Sequence, residues 1–236
     1  MGRQNSFVVA AIVVLALAVI VLARQPLEKW WHLQQFRVSR TRPIASSYDG
    51  EEYRVHLSHA RPDVAADHLA YLHEQSINLM EHLRGRYVRS PKGEEYPQRR
   101  AIVQRLLARY NPDQISESSP NNPEGDTSYI LNKGELFALC LREKNPGGIG
   151  ASDSHDIHDT ETLWFVTVHE LAHLGTVQTG HPPEFWECFK FFLYECIDAG
   201  LAPNGAWPDY QVYPIWYCGL QVDYNPLYDD GVPLPM

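Results

Sequence analysis

The sequence predicts an α+β domain preceded by one N-terminal transmembrane helix. Three observations lead to this expectation. An apolar helix over Thr162–Gly175 contains the motif HELAH, two strand-like segments joined by a tight turn lie upstream of it, and Phe7–Ala23 is an uncharged apolar run. With 236 residues, of which 44% are hydrophobic, the chain is long enough for one soluble domain and an accessory segment.

The motif HELAH occupies His169–His173. Residues four apart on a helix project from one face, so His169 and His173 can bind the same metal ion. Glu170 lies beside them and can take a proton from a water that zinc has activated, then pass it to a leaving amine. This pattern is typical of zinc-dependent peptide-bond hydrolysis. The structural alternative is a core helix whose two histidines are satisfied by hydrogen bonds.

The helix that carries the motif is apolar on almost all sides, so it is expected to be buried. Asp159, Thr160 and Glu161 are polar or acidic residues suited to its N-terminus. Gly175 is suited to its end.

The apolar run Phe7–Ala23 is near the short limit for a helix that crosses a bilayer. A cleavable signal peptide is the alternative. The run ends directly at Arg24 without a small-residue cleavage site, and Trp30 and Trp31 are suited to the lipid interface, so an uncleaved anchor is favoured. More basic residues follow the run than precede it, which predicts a cytosolic C-terminal part.

The predicted organisation has three parts: the membrane anchor at 1–24, a juxtamembrane and helical scaffold segment at 25–110, and a metallopeptidase domain at 111–236. The net charge is −9, but basic residues outnumber acidic ones in the scaffold segment and acidic residues predominate afterwards. The basic part suits anionic lipid headgroups. The acidic part is expected to repel nucleic acid, so no direct nucleic-acid binding is predicted.

The four cysteines are scattered, without a CxxC motif, and this pattern fits a reducing compartment. Cys188 and Cys196 lie too far apart along one predicted helix to form a disulfide with each other. Cys140 and Cys218 can pair only if the fold brings them together.

Helical periodicity predicts two scaffold helices, in 63–87 and 102–110. Tyr129–Leu131 and Leu136–Leu141 are predicted strands joined at residues 132–134. This hairpin is a candidate edge strand for an extended substrate, and core packing is its alternative role. The histidines outside the motif are interpreted as surface or solvated loop residues: His68, His73, His82, His155 and His158.

A second helix is predicted between Pro182 and Gly200, and it must pack on the motif helix. His181 lies just before it, where a short loop can return its ring to the metal as a third ligand. Glu195 is the alternative, because some zinc peptidases take a glutamate from the helix that follows the motif. His181 is favoured, since Glu195 reaches the metal only if the second helix runs back alongside the first.

HELAH followed by a third histidine and then by PEFW resembles the WLM and SprT-like zinc metallopeptidases. The stretches SYILNKGELFALCLR before the motif, and YCGL and YNPLY after it, are similar to membrane-anchored members of this group encoded by large DNA viruses of eukaryotes. The resemblance covers about 127–228. It implies a zincin-like domain with a small antiparallel sheet, in which His169, His173 and His181 bind Zn²⁺ and Glu170 is the catalytic acid and base.

The sequence therefore predicts a membrane-anchored zinc metalloendopeptidase that acts on a protein or peptide substrate, and it carries no prediction of the oligomeric state. A catalytically inactive zinc-binding interaction module at a membrane is the alternative, although such a module has little need of Glu170. An intramembrane protease is disfavoured, because Glu161 and the polar residues after Gly175 leave the motif helix too short and too polar to span lipid. Four tyrosines are eligible to donate to the oxyanion: Tyr210, Tyr213, Tyr217 and Tyr224.

Overall fold

Helices and strands pack together in residues 42–236, which form one unit of α+β structure. The computed structural model describes residues 41–57, 59–118, 128–143 and 157–236. The predicted anchor at Phe7–Ala23 and His155 lie outside the described residues. Within the described ranges, no helix is both long and apolar enough to cross a membrane.

A five-stranded sheet forms one layer, and its strands follow the order β1-β2-β3-β5-β4. The pairs β2/β3 and β3/β5 are parallel, whereas β4/β5 is antiparallel, so the expectation of an antiparallel sheet is wrong and the sheet is mixed. Parallel neighbours need a long crossover, and the helices between β2 and β3 supply one. The strands are β1 (Thr41–Ala45), β2 (Glu52–His56), β3 (Ile115–Ser118), β4 (Tyr129–Leu131) and β5 (Leu136–Cys140).

Strand β3 lies within 111–126, a stretch whose Pro, Asn and Ser content predicts a loop, and this prediction is wrong for Ile115–Ser118. It contains one apolar residue in ISES, yet every position is buried. Glu117 accepts hydrogen bonds from the Arg142 Nε at 2.5 Å and from the His56 backbone amide at 2.7 Å. Burial nevertheless raises the pKa of Glu117 above its usual value, against the opposing effect of Arg142. A central strand that buries polar side chains does not show the apolar pattern from which strands are predicted.

The helices surround the HELAH segment. Both predicted scaffold helices are confirmed, although the first one ends at Leu83 and continues as a turn of π-helix over Arg84–Val88. The motif helix α4 contacts α1, α3, α5 and strand β4. The helices are α1 (Pro62–Leu83), α2 (Lys92–Glu95), α3 (Pro97–Arg109), α4 (Thr160–Gly175) and α5 (Pro183–Asp198).

Helix α4 begins and ends as its residues predict. The Asp159 carboxylate accepts a hydrogen bond from the Thr162 backbone amide at 2.8 Å, which satisfies one of the free amides of the first turn. The helix ends at Gly175, where a Cβ atom would lie 2.7 Å from the Cys188 Sγ of α5. Glycine therefore allows the two helices to approach closely next to the HELAH motif.

A small hairpin follows α5 in the C-terminal part of the chain. Its strands are β6 (Ile215–Tyr217) and β7 (Leu220–Val222), paired antiparallel. Cys218 and Gly219 connect them with φ angles of 48° and 82°, as a tight two-residue turn requires. A disulfide joins Cys218 to Cys140 at the end of β5. This bond attaches the hairpin to the main sheet.

Candidate metal centre

Three histidines converge beside the last turns of α4. His169 and His173 project from one face of the helix, and the loop before α5 brings the ring of His181 next to them. The Nε2 atoms of His169 and His181 are 3.0 Å apart. The ring centroids of His173 and His181 lie 4.9 Å apart. One ligand atom from each histidine lies within 4.8 Å of the other two.

Aromatic residues of α5 hold the three imidazoles in place. Phe185 stacks on His173, with ring centroids 4.4 Å apart and an interplanar angle of 29°. Trp186 stacks on His181 with ring centroids 5.6 Å apart. The packing of α5 on α4 thus determines the orientation of two of the three rings.

The environment keeps these imidazoles neutral. Burial lowers the pKa of His169 well below its usual value, and the neighbouring His173 and His181 lower it further. Burial, followed by the effects of His181 and Lys133, lowers the pKa of His173 to about 4. Burial also lowers the pKa of His181. Neutral imidazole is the form that coordinates a metal, so the three rings are ready to bind one near neutral pH.

The donor set fits zinc. Zinc binds histidine nitrogen at about 2.0–2.1 Å with tetrahedral geometry, which separates two ligand nitrogens by about 3.3 Å. The observed 3.0 Å between the Nε2 atoms of His169 and His181 is close to that separation. Three nitrogen ligands that face a cavity are typical of a catalytic zinc site, where the fourth position is left for water or substrate.

Glu170 lies next to this cluster without belonging to it. Its side chain is 4% exposed and lines the same cavity as His169 and His173. The group of converging ligand atoms comprises the three histidines and excludes Glu170. The three nitrogens could therefore act as ligands of one metal ion, and the carboxylate could act on a molecule bound to that ion.

The cavity above the histidines has a volume of about 610 Å³. Strand β4 and its turn, residues 128–133, form one wall, and the hairpin segment 220–224 forms another. Among the described residues, strand β4 lies at the end of the strand order of the five-stranded sheet, as predicted for this hairpin. The lining is mainly apolar, with Ile130, Leu131, Phe165, Val166, Leu220 and Val222 among its residues.

Similar sequences occur in large DNA viruses. The chain is 36% identical over 104 residues to uncharacterized protein R325 of Acanthamoeba polyphaga mimivirus, a match that covers 44% of this chain and 47% of the relative. It is 35% identical over 78 residues to uncharacterized protein 136R of Invertebrate iridescent virus 6, covering 33% of this chain and 40% of that relative. The matches span less than half the length of each relative. No protein-family model and no solved structure matches the chain.

Glu195 is not brought to the histidine cluster. Its carboxylate accepts hydrogen bonds from the Tyr87 hydroxyl at 2.7 Å and from the His82 Nε2 at 2.8 Å. Both donors lie at the end of α1 and in the turn after it, so Glu195 faces α1 and not the cavity. His82, interpreted from the sequence as a surface residue, is instead half-buried: its side chain is 23% exposed and it pairs with Glu195 of α5.

His82, Glu195 and Asp198 also converge, but their surroundings do not resemble a metal site. The Arg86 guanidinium contacts both carboxylates of this group. A cation already balances their charge, and the cluster is an ion-pair network that joins α5 to α1.

His158 is likewise not a solvated loop residue. It is 6% exposed, and its Nε2 accepts a hydrogen bond from the Cys218 backbone amide at 3.2 Å. Burial lowers its pKa. The prediction that it is solvated is wrong, because Arg142 forms a β-bridge with Ile157 and this segment packs against the end of β5.

The four eligible tyrosines have different environments. Tyr213 is 71% exposed, and Tyr210 is buried beside Phe165. Tyr217 lines the cavity, but its hydroxyl donates to the Cys140 carbonyl at 2.6 Å. Tyr224 lines the cavity next to Trp186, and its hydroxyl donates to Asp229 at 2.7 Å. Tyr224 is therefore the tyrosine whose ring borders the His181 side of the cavity.

Proposed function

We propose that this protein is a zinc-dependent metalloendopeptidase that resembles the WLM and SprT-like enzymes. One observation carries the proposal: three neutral imidazoles converge beside a buried glutamate, in a cavity bordered by an open sheet edge. Each feature has a use in peptide hydrolysis, and the three occur at one place in the fold.

His169, His173 and His181 would hold the zinc ion. Bound zinc polarises a carbonyl group and lowers the pKa of water toward about 7. The burial that keeps the imidazoles neutral also prevents protons from competing with the metal near neutral pH.

Glu170 would perform the proton transfers. Its carboxylate faces the cavity beside two of the ligands, where it can accept a proton from the attacking water. The same group can then deliver that proton to the leaving nitrogen of the cleaved peptide. One buried carboxylate thus serves first as the base and then as the acid.

Strand β4 suits a polypeptide substrate. It pairs with β5 on one side and ends the order of the five-stranded sheet on the other. An extended peptide can add to such an edge through backbone hydrogen bonds, which places its carbonyls along the cavity without requiring a particular sequence. The cavity volume lies in the range of ordinary ligand sites.

The proposal includes anchoring to a membrane through the apolar run Phe7–Ala23. Its length and lack of charge suit a bilayer span, and Trp30 and Trp31 suit the interface. Extraction of membranes at alkaline pH tests this part: the full chain should remain with the lipid, and a chain without residues 1–24 should be released.

The deciding experiment measures cleavage of an unfolded protein by the full chain in detergent, with and without a chelator. Glu170→Gln should retain one equivalent of zinc but lose activity by at least about 100-fold, because a general base is removed while the ligands remain. Glu187→Gln on α5, outside the residues that line the cavity, is the matched control and should keep its activity.

Cleavage by Glu170→Gln at the wild-type rate would contradict the enzymatic proposal. A zinc-binding module without turnover would show no chelator-sensitive cleavage from either protein, while both forms would still contain zinc.

A further inference from the structure

The loop that carries His181, residues 176–182, gains little from apolar burial. Val177 is 62% exposed, and the following positions up to His181 are exposed as well. Gly180 has a φ of 75°, with open space around its α-carbon. Hydrophobic stabilisation is proportional to the apolar area removed from water, so it contributes little to the loop backbone. Polar contacts must therefore hold the loop.

Lys133 makes contacts that join this loop to the motif helix, beside Arg109, which donates to the Leu174 and Thr176 carbonyls. Its Nζ donates to the His173 carbonyl at 2.9 Å and to the Gln178 carbonyl at 2.7 Å. It also lies 3.3 Å from the Thr176 hydroxyl. Charge-assisted hydrogen bonds are stronger than neutral ones, and a cation at a helix C-terminus complements the helix dipole. One ammonium group therefore connects the end of α4 to the segment that leads to His181.

A constrained turn presents this ammonium group. Asn132 and Lys133 have φ angles of 46° and 56°, in the left-handed region, and Gly134 follows with a φ of 115°. A Cβ atom at position 134 would lie 2.1 Å from the Arg109 carbonyl oxygen, so the turn lies directly against the end of α3. This close contact restricts the position of the Lys133 backbone.

Glu184 holds the loop from its other side. Its carboxylate accepts a hydrogen bond from the Val177 backbone amide at 3.2 Å. Arg105 donates to the same carboxylate at 3.3 Å and to the Gly175 carbonyl at 2.5 Å. The start of the loop is thus tied to both α3 and α5.

We propose that Lys133 is a positioning residue for the metal centre, because its ammonium group fixes loop 176–182 against the end of α4 and thereby holds His181 at the metal. Glu184 is a second positioning residue, because its carboxylate holds the Val177 backbone amide of the same loop. The inference rests on the zinc site of the proposed function. Lys133 donates no hydrogen bond to the side chain of a ligand, so it would act on the site by holding the backbone.

The test is the zinc dissociation constant of the full chain, measured by competition with a chelator. Lys133→Met keeps the aliphatic part of the side chain and removes the donors, so it should weaken zinc binding by about 10–100-fold, the usual effect of removing a group that orients a ligand. Lys190→Met is the matched control. Lys190 donates to the Asp229 and Val232 carbonyls at 2.7 and 2.9 Å, away from the cavity, and its replacement should change zinc affinity by less than about twofold.

A double-mutant cycle separates positioning of His181 from a general loss of stability. In a His181→Ala background, Lys133→Met should weaken zinc binding no further, because the ligand through which it acts is absent. An equal loss of affinity with and without His181 would overturn the inference. A dissociation constant for Lys133→Met within about threefold of wild type would overturn it as well.

Glu184→Ala provides a second variant if Lys133→Met does not fold. It should also weaken zinc binding, since the Val177 amide loses its acceptor, and an unchanged affinity would then overturn the inference. Zinc binding by the wild-type chain distinguishes the two proposals. If wild type binds zinc and these variants match it, only the positioning role fails, whereas a wild-type chain that binds no zinc overturns the proposed function and this role together.

Discussion

The contacts of single residues determine which side chains join the histidine cluster. The sequence offers both His181 and Glu195 as the third ligand, but only His181 lies beside the other two histidines. The His181 ring faces the other two histidines, whereas the Glu195 carboxylate is occupied by Tyr87 and His82. A buried carboxylate needs such partners, since leaving it without them would cost several kcal/mol. These hydrogen bonds explain why Glu195 can be buried in helix α5 although it does not line the cavity.

The variants His181→Ala and Glu195→Ala should therefore behave differently. His181→Ala should lose most of its zinc after dialysis, because two imidazoles remain. Glu195→Ala should keep one equivalent of zinc and lose about 1–3 kcal/mol in the free energy of unfolding, because Tyr87 loses the acceptor of its buried hydroxyl. Metal analysis and denaturant titration of the two proteins give both quantities. A full equivalent in His181→Ala together with none in Glu195→Ala would exchange the two assignments.

At the scale of elements, the packing of α5 on α4 builds the site. Gly175 allows the end of α4 to approach α5, and Phe185 and Trp186 of α5 pack against His173 and His181. The spacing of the two helices therefore sets the spacing of the ligands. The short loop between them depends on hydrogen bonds and ion pairs because it buries little apolar surface.

Gly175→Ala tests the close approach of these helices. A Cβ atom would lie 2.7 Å from the Cys188 Sγ and 3.0 Å from a methyl carbon of Ile102, so overpacking should lower the free energy of unfolding by about 1–3 kcal/mol. Denaturant unfolding of the chelator-treated protein measures the change. Gly85→Ala is the control, since a Cβ atom there meets nothing within 4 Å, and its effect should stay within about 0.5 kcal/mol. Equal effects at the two positions would show that helix contact is not the cause.

At the scale of the whole molecule, the disulfide between Cys140 and Cys218 bears on the compartment. It closes a separation of 78 residues and is buried, with its two cysteines 0% and 2% exposed. Disulfides persist mainly in oxidising environments. The scattered spacing of the cysteines had suggested a reducing compartment, and the charge bias around the apolar run predicts a cytosolic domain. The disulfide is more typical of an oxidising compartment, and the cytosolic placement stays a prediction to be tested in cells.

Thiol trapping in cells, followed by denaturation and mass analysis, tests the state of the cysteines. We expect Cys140 and Cys218 to be joined and Cys188 and Cys196 to be free thiols, as they are in the structure. A double Cys140→Ser and Cys218→Ser variant should lose about 4–5 kcal/mol in the free energy of unfolding, the chain-entropy value for a loop of this length. Four free thiols in the trapped protein would contradict the expectation. A glycosylation acceptor added within 119–126, after the buried strand β3, reports the side of the membrane, since modification there excludes a cytosolic domain.

Local spacing was sufficient to predict much of the candidate site. Helix α4, its N-cap at Asp159, its end at Gly175 and the shared face of His169 and His173 depend on residues close together in the sequence. The periodicity that predicts a helix or a strand is a pattern of neighbouring residues. Helix α5 and the β4–β5 hairpin were predictable for the same reason.

The remaining features required the tertiary structure because their partners are distant in the chain. Glu195 meets His82 across 113 positions, and Lys133 meets the Gln178 carbonyl across 45. Strand β3 has no apolar pattern, and its buried Glu117 accepts hydrogen bonds from Arg142 and from the His56 backbone amide. The disulfide needs β5 and the β6–β7 hairpin to be adjacent. Hydrogen bonds and ion pairs between distant segments depend on how the helices and strands pack, and no local pattern of residues specifies them.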